Sequence, residues 1–148
     1  MSDPAGRVVL ITGGSRGIGL ATAETFIKDG HQVIIACRNP EKAKTAQQHL
    51  ESFGTGQVDV IHLDLNSLEQ INQAANEIIA KYEKIDVLVN NAGVFEMKPF
   101  LDSSIENIDR IIDINLKGTI YCTFNAIKFL KPKIGRVINI GSVAGEHG

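Results

Sequence analysis

The sequence is poor in the features that mark a specialised chain. Only two of its 148 residues are cysteine. Cys37 and Cys122 lie far apart with no ligand residues at metal spacing, which excludes a disulfide framework and a zinc site. The four histidines (His31, His49, His62 and His147) are scattered, and no metal site is expected. Neither sign of charge dominates. Fifteen Lys and Arg against seventeen Asp and Glu leave a formal net charge of −2, which excludes a polyanion partner such as DNA or RNA. No apolar run reaches the length of a membrane span. Residues 1–6 have neither a basic region nor an apolar one, so no signal peptide is expected, and a reducing, cytoplasmic setting is the default. What remains is an ordinary globular composition, 43% hydrophobic and 22% charged. The length suits one domain over residues 1–148, able to bury about 70% of its unfolded surface.

What is present is an alternation of short apolar runs with longer amphipathic segments. Strands are expected at 8–11, 33–36, 58–63, 85–89 and 137–140. Helices are expected at 18–29, where Gly30 suits the C-cap, and from Asn39-Pro40 to about Ser52. A third begins with a capping box of Ser67 and Gln70. A box of Ser103 and Glu106 opens a long helix over 105–130, with Ile105, Ile108, Ile112, Leu116 and Ile120 at apolar spacing, ending at Leu130 before Pro132. Strands that are apolar nearly throughout, separated by helices, predict a parallel sheet covered on both faces. The expected fold is therefore α/β, a doubly wound Rossmann-type sheet of about five strands in the order 3-2-1-4-5. Its crevice should lie outside the carboxyl ends of the strands. Residues 143–148 form a loop-like tail where a covering helix is due, so the chain is expected to be incomplete after its fifth strand.

Gly13, Gly17 and Gly19 fall between the first strand and the first helix. Such a turn brings backbone close to a pyrophosphate, and the free N–H groups of the following helix favour the anion. A purely structural turn has the same glycines, but the strand–turn–helix setting favours the phosphate reading. Gly13-Gly14-Ser15-Arg16-Gly17 also matches the nucleophile elbow of serine hydrolases. That alternative would use Ser15, needs an acid and a histidine later in the chain, and leaves Gly19 idle. The second strand ends Ala36-Cys37-Arg38 with no acid at its tip, and Arg16 lies in the glycine turn. Two guanidiniums at these places suit a ribose 2′-phosphate, so NADP(H) is favoured over NAD(H); two ordinary surface arginines are the alternative.

With these residues in view, the chain resembles the short-chain dehydrogenases/reductases along essentially its whole length. Thr12-Gly13-Gly14-Ser15-Arg16-Gly17-Ile18-Gly19 is similar to the family's cofactor turn. Asp64-Leu65 stands where the family's acid meets the adenine region, and Asn90-Asn91-Ala92-Gly93 resembles its Asn-Asn-Ala-Gly signature. Asn115 and Ser142 match the family's catalytic asparagine and serine. Taken singly, each has a plainer reading as a turn, loop or mid-helix polar residue. Together the resemblance implies cofactor contacts from Thr12, Gly13, Ser15, Arg16, Gly17, Ile18, Gly19, Arg38, Asp64, Leu65, Asn91, Ala92 and Gly93. It implies an oxidoreductase moving hydride between NADP(H) and a small carbonyl or secondary alcohol, with Ser142 and Asn115 catalytic. The family's Tyr-x-x-x-Lys is missing, since Tyr82 is followed at the fourth place by Asp86 and Tyr121 by Asn125. Turnover by this chain is therefore expected to be negligible. The alternative is a non-catalytic short form that binds nucleotide or a partner. A homo-oligomer through the helix from Ile105 to Leu130 is the partner expected, with no nucleic acid and no membrane.

Overall fold

A computed structural model describes residues 6–132 and 134–143. Five parallel strands form one sheet in the order β3-β2-β1-β4-β5. They are β1 (Val8–Thr12), β2 (Gln32–Cys37), β3 (Gln57–His62), β4 (Val87–Asn90) and β5 (Arg136–Asn139). The helices are α1 (Gly17–Lys28), α2 (Pro40–Glu51), α3 (Leu68–Tyr82), α4 (Ile105–Ile111) and α5 (Thr119–Ala126). The expected fold class and strand order are thus both found.

Side chains alternate across a strand, so each apolar run feeds two cores. Val9, Ile11, Val33 and Ile35 pack against Ala23 and Ile27 of α1 and Ala43, Ala46 and Leu50 of α2. Leu10, Ile34 and Leu88 face the other way, onto Ile71, Ala74 and Ile78 of α3 and Cys122 and Ala126 of α5. Helix ends follow local chemistry. Asn39 Oδ1 accepts the Lys42 N–H at 2.9 Å ahead of Pro40. At the end of α1, the Gly30 N–H donates to Ile27 O and the His31 N–H to Phe26 O, the two bonds of a Schellman cap.

Three expectations are corrected. Ser67 does cap α3, but Gln70 Oε1 accepts from the Asp64 N–H and not from Ser67, whose own N–H donates to Asp64 O. The cap of α4 is Ser104, which accepts from the Asn107 N–H; Ser103 closes a 3-10 turn (Phe100–Asp102) by donating to Phe100 O. The long helix is not continuous to Leu130. It passes from α4 through a π-helical stretch (Ile112–Gly118) into α5, which ends at Ala126. Its sheet-facing side consists of Ile114, Gly118, Cys122 and Ala126, while Ile105, Ile112, Leu116 and Ile120 point outward. The small face wins because it lets the helix come close: a Cβ on Gly118 would meet Leu65 Cβ at 3.0 Å. Among the described residues, no helix is long and apolar enough to cross a membrane.

At the amino ends of the strands, Asp86 is 3% exposed. Its Oδ2 accepts the Val8 N–H at 2.8 Å and its Oδ1 pairs with Lys131 Nζ at 2.8 Å, tying β1 to β4 and to the residues after α5. Lys131→Met is expected to cost about 2 kcal/mol of stability, since the carboxylate then stays buried with one backbone donor, discounted for the half-exposed lysine. Urea denaturation beside the exposed control Lys44→Met checks this; a difference below about 0.5 kcal/mol would refute it.

Candidate functional site

The site is built on a lock between two strand ends. Thr12 Oγ1 accepts the N–H groups of Asn91 and Ala92, each at 3.1 Å. Asn91 Nδ2 answers by donating to Thr12 O at 3.1 Å and Gly13 O at 3.2 Å. The turn after β1 and the turn after β4 therefore sit as one unit. Gly13 takes φ +67°, and a Cβ there would meet Ala92 Cα at 2.9 Å. Gly19 brings α1 onto this unit, because a Cβ would lie 2.4 Å from Gly13 O and 2.5 Å from Asn91 Nδ2. Arg16 precedes α1 in extended backbone and makes no side-chain cap, so the first N–H groups of that helix are left for a ligand.

A groove of about 170 Å³ opens over this unit, lined by Thr12, Gly13, Ser15, Arg16, Arg38, Asp64, Leu65, Ala92 and Gly93. It continues past Gly17, Ile18 and Asn91. All the residues expected to contact a cofactor are thus brought to the carboxyl ends of β1, β2, β3 and β4, with Gly19 buried beneath. Asp64 also serves its own turn, where Oδ1 accepts the Asn66 N–H at 3.0 Å.

Lys42 was not foreseen. Asn39 and Pro40 start α2 so that Lys42 falls in its first turn and lines the groove beside Arg16 and Arg38. The helix-start signal at Asn39 would have found it. None of the three cations has a carboxylate partner among the described residues, whereas Lys81, Lys98, Lys117 and Lys131 all have one. Opposite-charge capacity is therefore open at this end of the groove, which suits a phosphate held by guanidinium and ammonium donors. Cys37 sits under the same end; burial pushes its thiol up, opposed by hydrogen bonds from the Ser15 hydroxyl and the Gly14 and Ser15 N–H groups. For the hydrolase alternative, no hydrogen bond joins Ser15 to a histidine among the described residues; His49 lines a neighbouring pocket with Ser15 and pairs with Glu24 at 2.7 Å. His147 lies outside the described residues.

Asn115 lies in the π-helical stretch. Its Oδ1 accepts the Val94 N–H and its Nδ2 donates to Val94 O, both at 2.8 Å. The carboxamide thus holds the segment after β4 through one donor and one acceptor, while Nδ2 keeps a second N–H. Ser142 is exposed just beyond β5. The end of that strand is tied to β4 through Asn90 Nδ2, which donates to Asn139 Oδ1 at 2.8 Å and to Thr123 Oγ1 of α5 at 3.0 Å. Ser142 and Asn115 thus come to the same end of the sheet by separate supports.

Comparison with known proteins agrees with the fold. The short chain dehydrogenase family matches residues 7–148. A 3-oxoacyl-[acyl-carrier-protein] reductase of Aquifex aeolicus is 38% identical over 144 residues, covering 97% of this chain and 58% of that protein. Galactitol 2-dehydrogenase of Agrobacterium fabrum is 34% identical, covering 96% of this chain and 55% of that protein. A crystal structure of an alcohol dehydrogenase from the archaeon Thermococcus sibiricus, complexed with 5-hydroxy-NADP, superposes with a TM-score of 0.90 at 26% identity, over 97% of this chain and 61% of that one. The chain spans less than two thirds of the length of each of these relatives.

Asn115→Ala is expected to speed amide exchange at Val94 by roughly tenfold, the loss of about one hydrogen bond. Unchanged protection at Val94 in hydrogen-exchange mass spectrometry or NMR would show that the clamp is not what holds this segment.

Proposed function

The chain belongs to the short-chain dehydrogenase family, and from that premise we propose that it holds NADP(H) for reversible hydride transfer to a carbonyl or from a secondary alcohol. The observation that carries the cofactor preference is the meeting of Arg16, Arg38 and Lys42, all without carboxylate partners, at one end of the groove. A ribose 2′-phosphate there would gain up to three charge-assisted contacts that a 2′-hydroxyl cannot use. The archaeal relative that carries 5-hydroxy-NADP supports a nicotinamide cofactor in this fold. The nicotinamide, when bound, supplies or accepts the hydride. The chain's own part is to seat the pyrophosphate on the glycine turn and the N-terminus of α1, to hold the adenine side between Asp64 and Leu65, and to face the reacting oxygen with the Ser142 hydroxyl. Asn115 keeps the segment after β4 in place while this happens. No Tyr-x-x-x-Lys is present in the chain, so its own turnover is proposed to be negligible, general acid–base catalysis being worth about 10²–10⁴ in rate.

The outward row Ile112, Leu116, Ile120 and Phe124 favours one further reading, that a second copy packs on this helix. A row of large apolar side chains left in water marks an interaction surface.

Two measurements test these readings. Arg38→Asp is expected to weaken NADPH binding by roughly 30-fold and NADH binding by less than about threefold, with Lys42→Gln giving a smaller loss of the same selectivity. Equal losses for the two nucleotides in a fluorescence titration would refute the 2′-phosphate assignment. Sedimentation of the chain should show a dimer or larger species that Leu116→Glu with Ile120→Glu turns into monomer; an unaltered chain that stays monomeric at its highest soluble concentration would refute the second copy.

A further inference from the structure

The π-helical stretch of the long helix meets the walls of the groove at two places. Asn115 holds Val94, which lines the groove. Further along the stretch, Gly118 is buried against Leu65, which lines it as well. A Cβ added to Gly118 would lie 3.0 Å from Leu65 Cβ and 3.3 Å from Leu65 Cδ1. The first of these atoms is bonded to the backbone and cannot swing aside by a change of rotamer. The backbone around it is pinned in turn. The Leu63 N–H donates to Cys37 O, the Asp64 N–H to Gln70 Oε1 and the Ser67 N–H to Asp64 O. Leu65 is 9% exposed and shares the groove wall with Ile114, which is buried in the same π-helical stretch. Leu65 also borders a hollow with Asn66, Leu68, Lys117 and Tyr121. The open space beside it is thus the groove and this hollow.

We propose that Gly118 is a positioning residue for the base end of the cofactor and acts through Leu65: its missing side chain sets where the adenine wall stands. This deepens the cofactor reading given above and rests on it. A base is held by close contact across its flat face, and dispersion weakens steeply once a gap opens. A side chain at Gly118 would force Leu65 to give by a few tenths of an ångström. A shift into the groove crowds the base, and a shift toward the hollow leaves a gap, so either direction weakens binding. Helix propensity runs the other way, since alanine is the better helix former inside a helix. The glycine therefore answers to the close approach of Leu65 and not to the helix. The phosphate end does not share this contact. It is built from the glycine turn, the start of α1 and the cations Arg16, Arg38 and Lys42, whereas the atoms nearest the Gly118 Cβ position belong to Leu65 and Asp113.

Two probes separate the base from the phosphates: 2′,5′-ADP carries adenine and inorganic pyrophosphate does not. In Gly118→Ala, calorimetric titration is expected to show 2′,5′-ADP, NADPH and NADH each weakened about tenfold, with pyrophosphate unchanged. The equal loss for NADPH and NADH follows from their shared adenine, whereas Arg38→Asp splits them. Added to Leu65→Ala, Gly118→Ala should cost less than about threefold, because the side chain that carries the push is gone. Unaltered 2′,5′-ADP binding, pyrophosphate weakened as much as 2′,5′-ADP, or losses that add in the double variant would each overturn the proposal. So would a Gly118→Ala chain that does not fold and is not restored by Leu65→Ala, since the glycine would then serve the helix alone. The Leu65 methyl carbon-13 signals, read without ligand, keep the two readings apart, and Gly118→Ala is expected to shift them. Shifted methyls in a protein that binds none of the nucleotides would sink the cofactor reading and keep Leu65 set by Gly118. Unmoved methyls would overturn the proposal whatever the nucleotides do.

Discussion

The exchange of hydrogen bonds between Thr12 and the Asn91-Ala92 turn is the contact on which the rest of the site depends. A single hydroxyl accepts two N–H groups, and a single carboxamide answers by donating to two carbonyls, so two loops from different crossovers become one rigid floor. Buried backbone groups at strand ends need partners, and here each loop supplies the other's. Once the floor is set, α1 can press onto it at Gly19, its N-terminus points into the groove, and the chain leaving Gly93 starts from a fixed direction. Asn115 then meets that chain at Val94. A slip of either loop would move the glycine turn, the groove wall and the asparagine together.

Charge is distributed with the same economy. Most of the paired lysines lie outside the groove or on its far side, each within 3.0 Å of a carboxylate. The three cations at the start of α1, the tip of β2 and the start of α2 are left without such partners among the described residues, in a protein whose net charge is slightly negative. Exposed cations held near one another repel modestly in water, and a bound dianion would turn that repulsion into attraction. The opposite end of the sheet shows the contrasting solution, where buried Asp86 is satisfied within the chain and serves only to hold strands together.

The apolar residues divide along similar lines. Small side chains face the sheet from the long helix and permit close packing, while Leu116, Ile120 and Phe124 are turned out. Phe95 and Met97 are turned out as well, but from a segment anchored at every second residue. An outward apolar row on a helix face offers a long flat surface to another body.

The sequence by itself determined the elements and their order. Apolar runs doubly buried in a parallel sheet, an Asn-Pro helix start, a glycine helix stop and a glycine turn after the first strand are local chemistry, and local chemistry survives any tertiary arrangement. The groove residues were legible for the same reason, since strand ends and the turns after them are adjacent in the chain. Tertiary structure alone decided the rest. It placed Lys42 beside Arg16 and Arg38, committed the Asn115 carboxamide to Val94, moved the cap from Ser103 to Ser104, and chose Gly118 and Cys122 over Leu116 and Ile120 to face the sheet. These outcomes depend on which distant groups can approach within hydrogen-bond or van der Waals reach. A periodicity of side chains along one segment does not carry that information, because the same helix can bury either its larger or its smaller face until a neighbour such as Leu65 limits the distance.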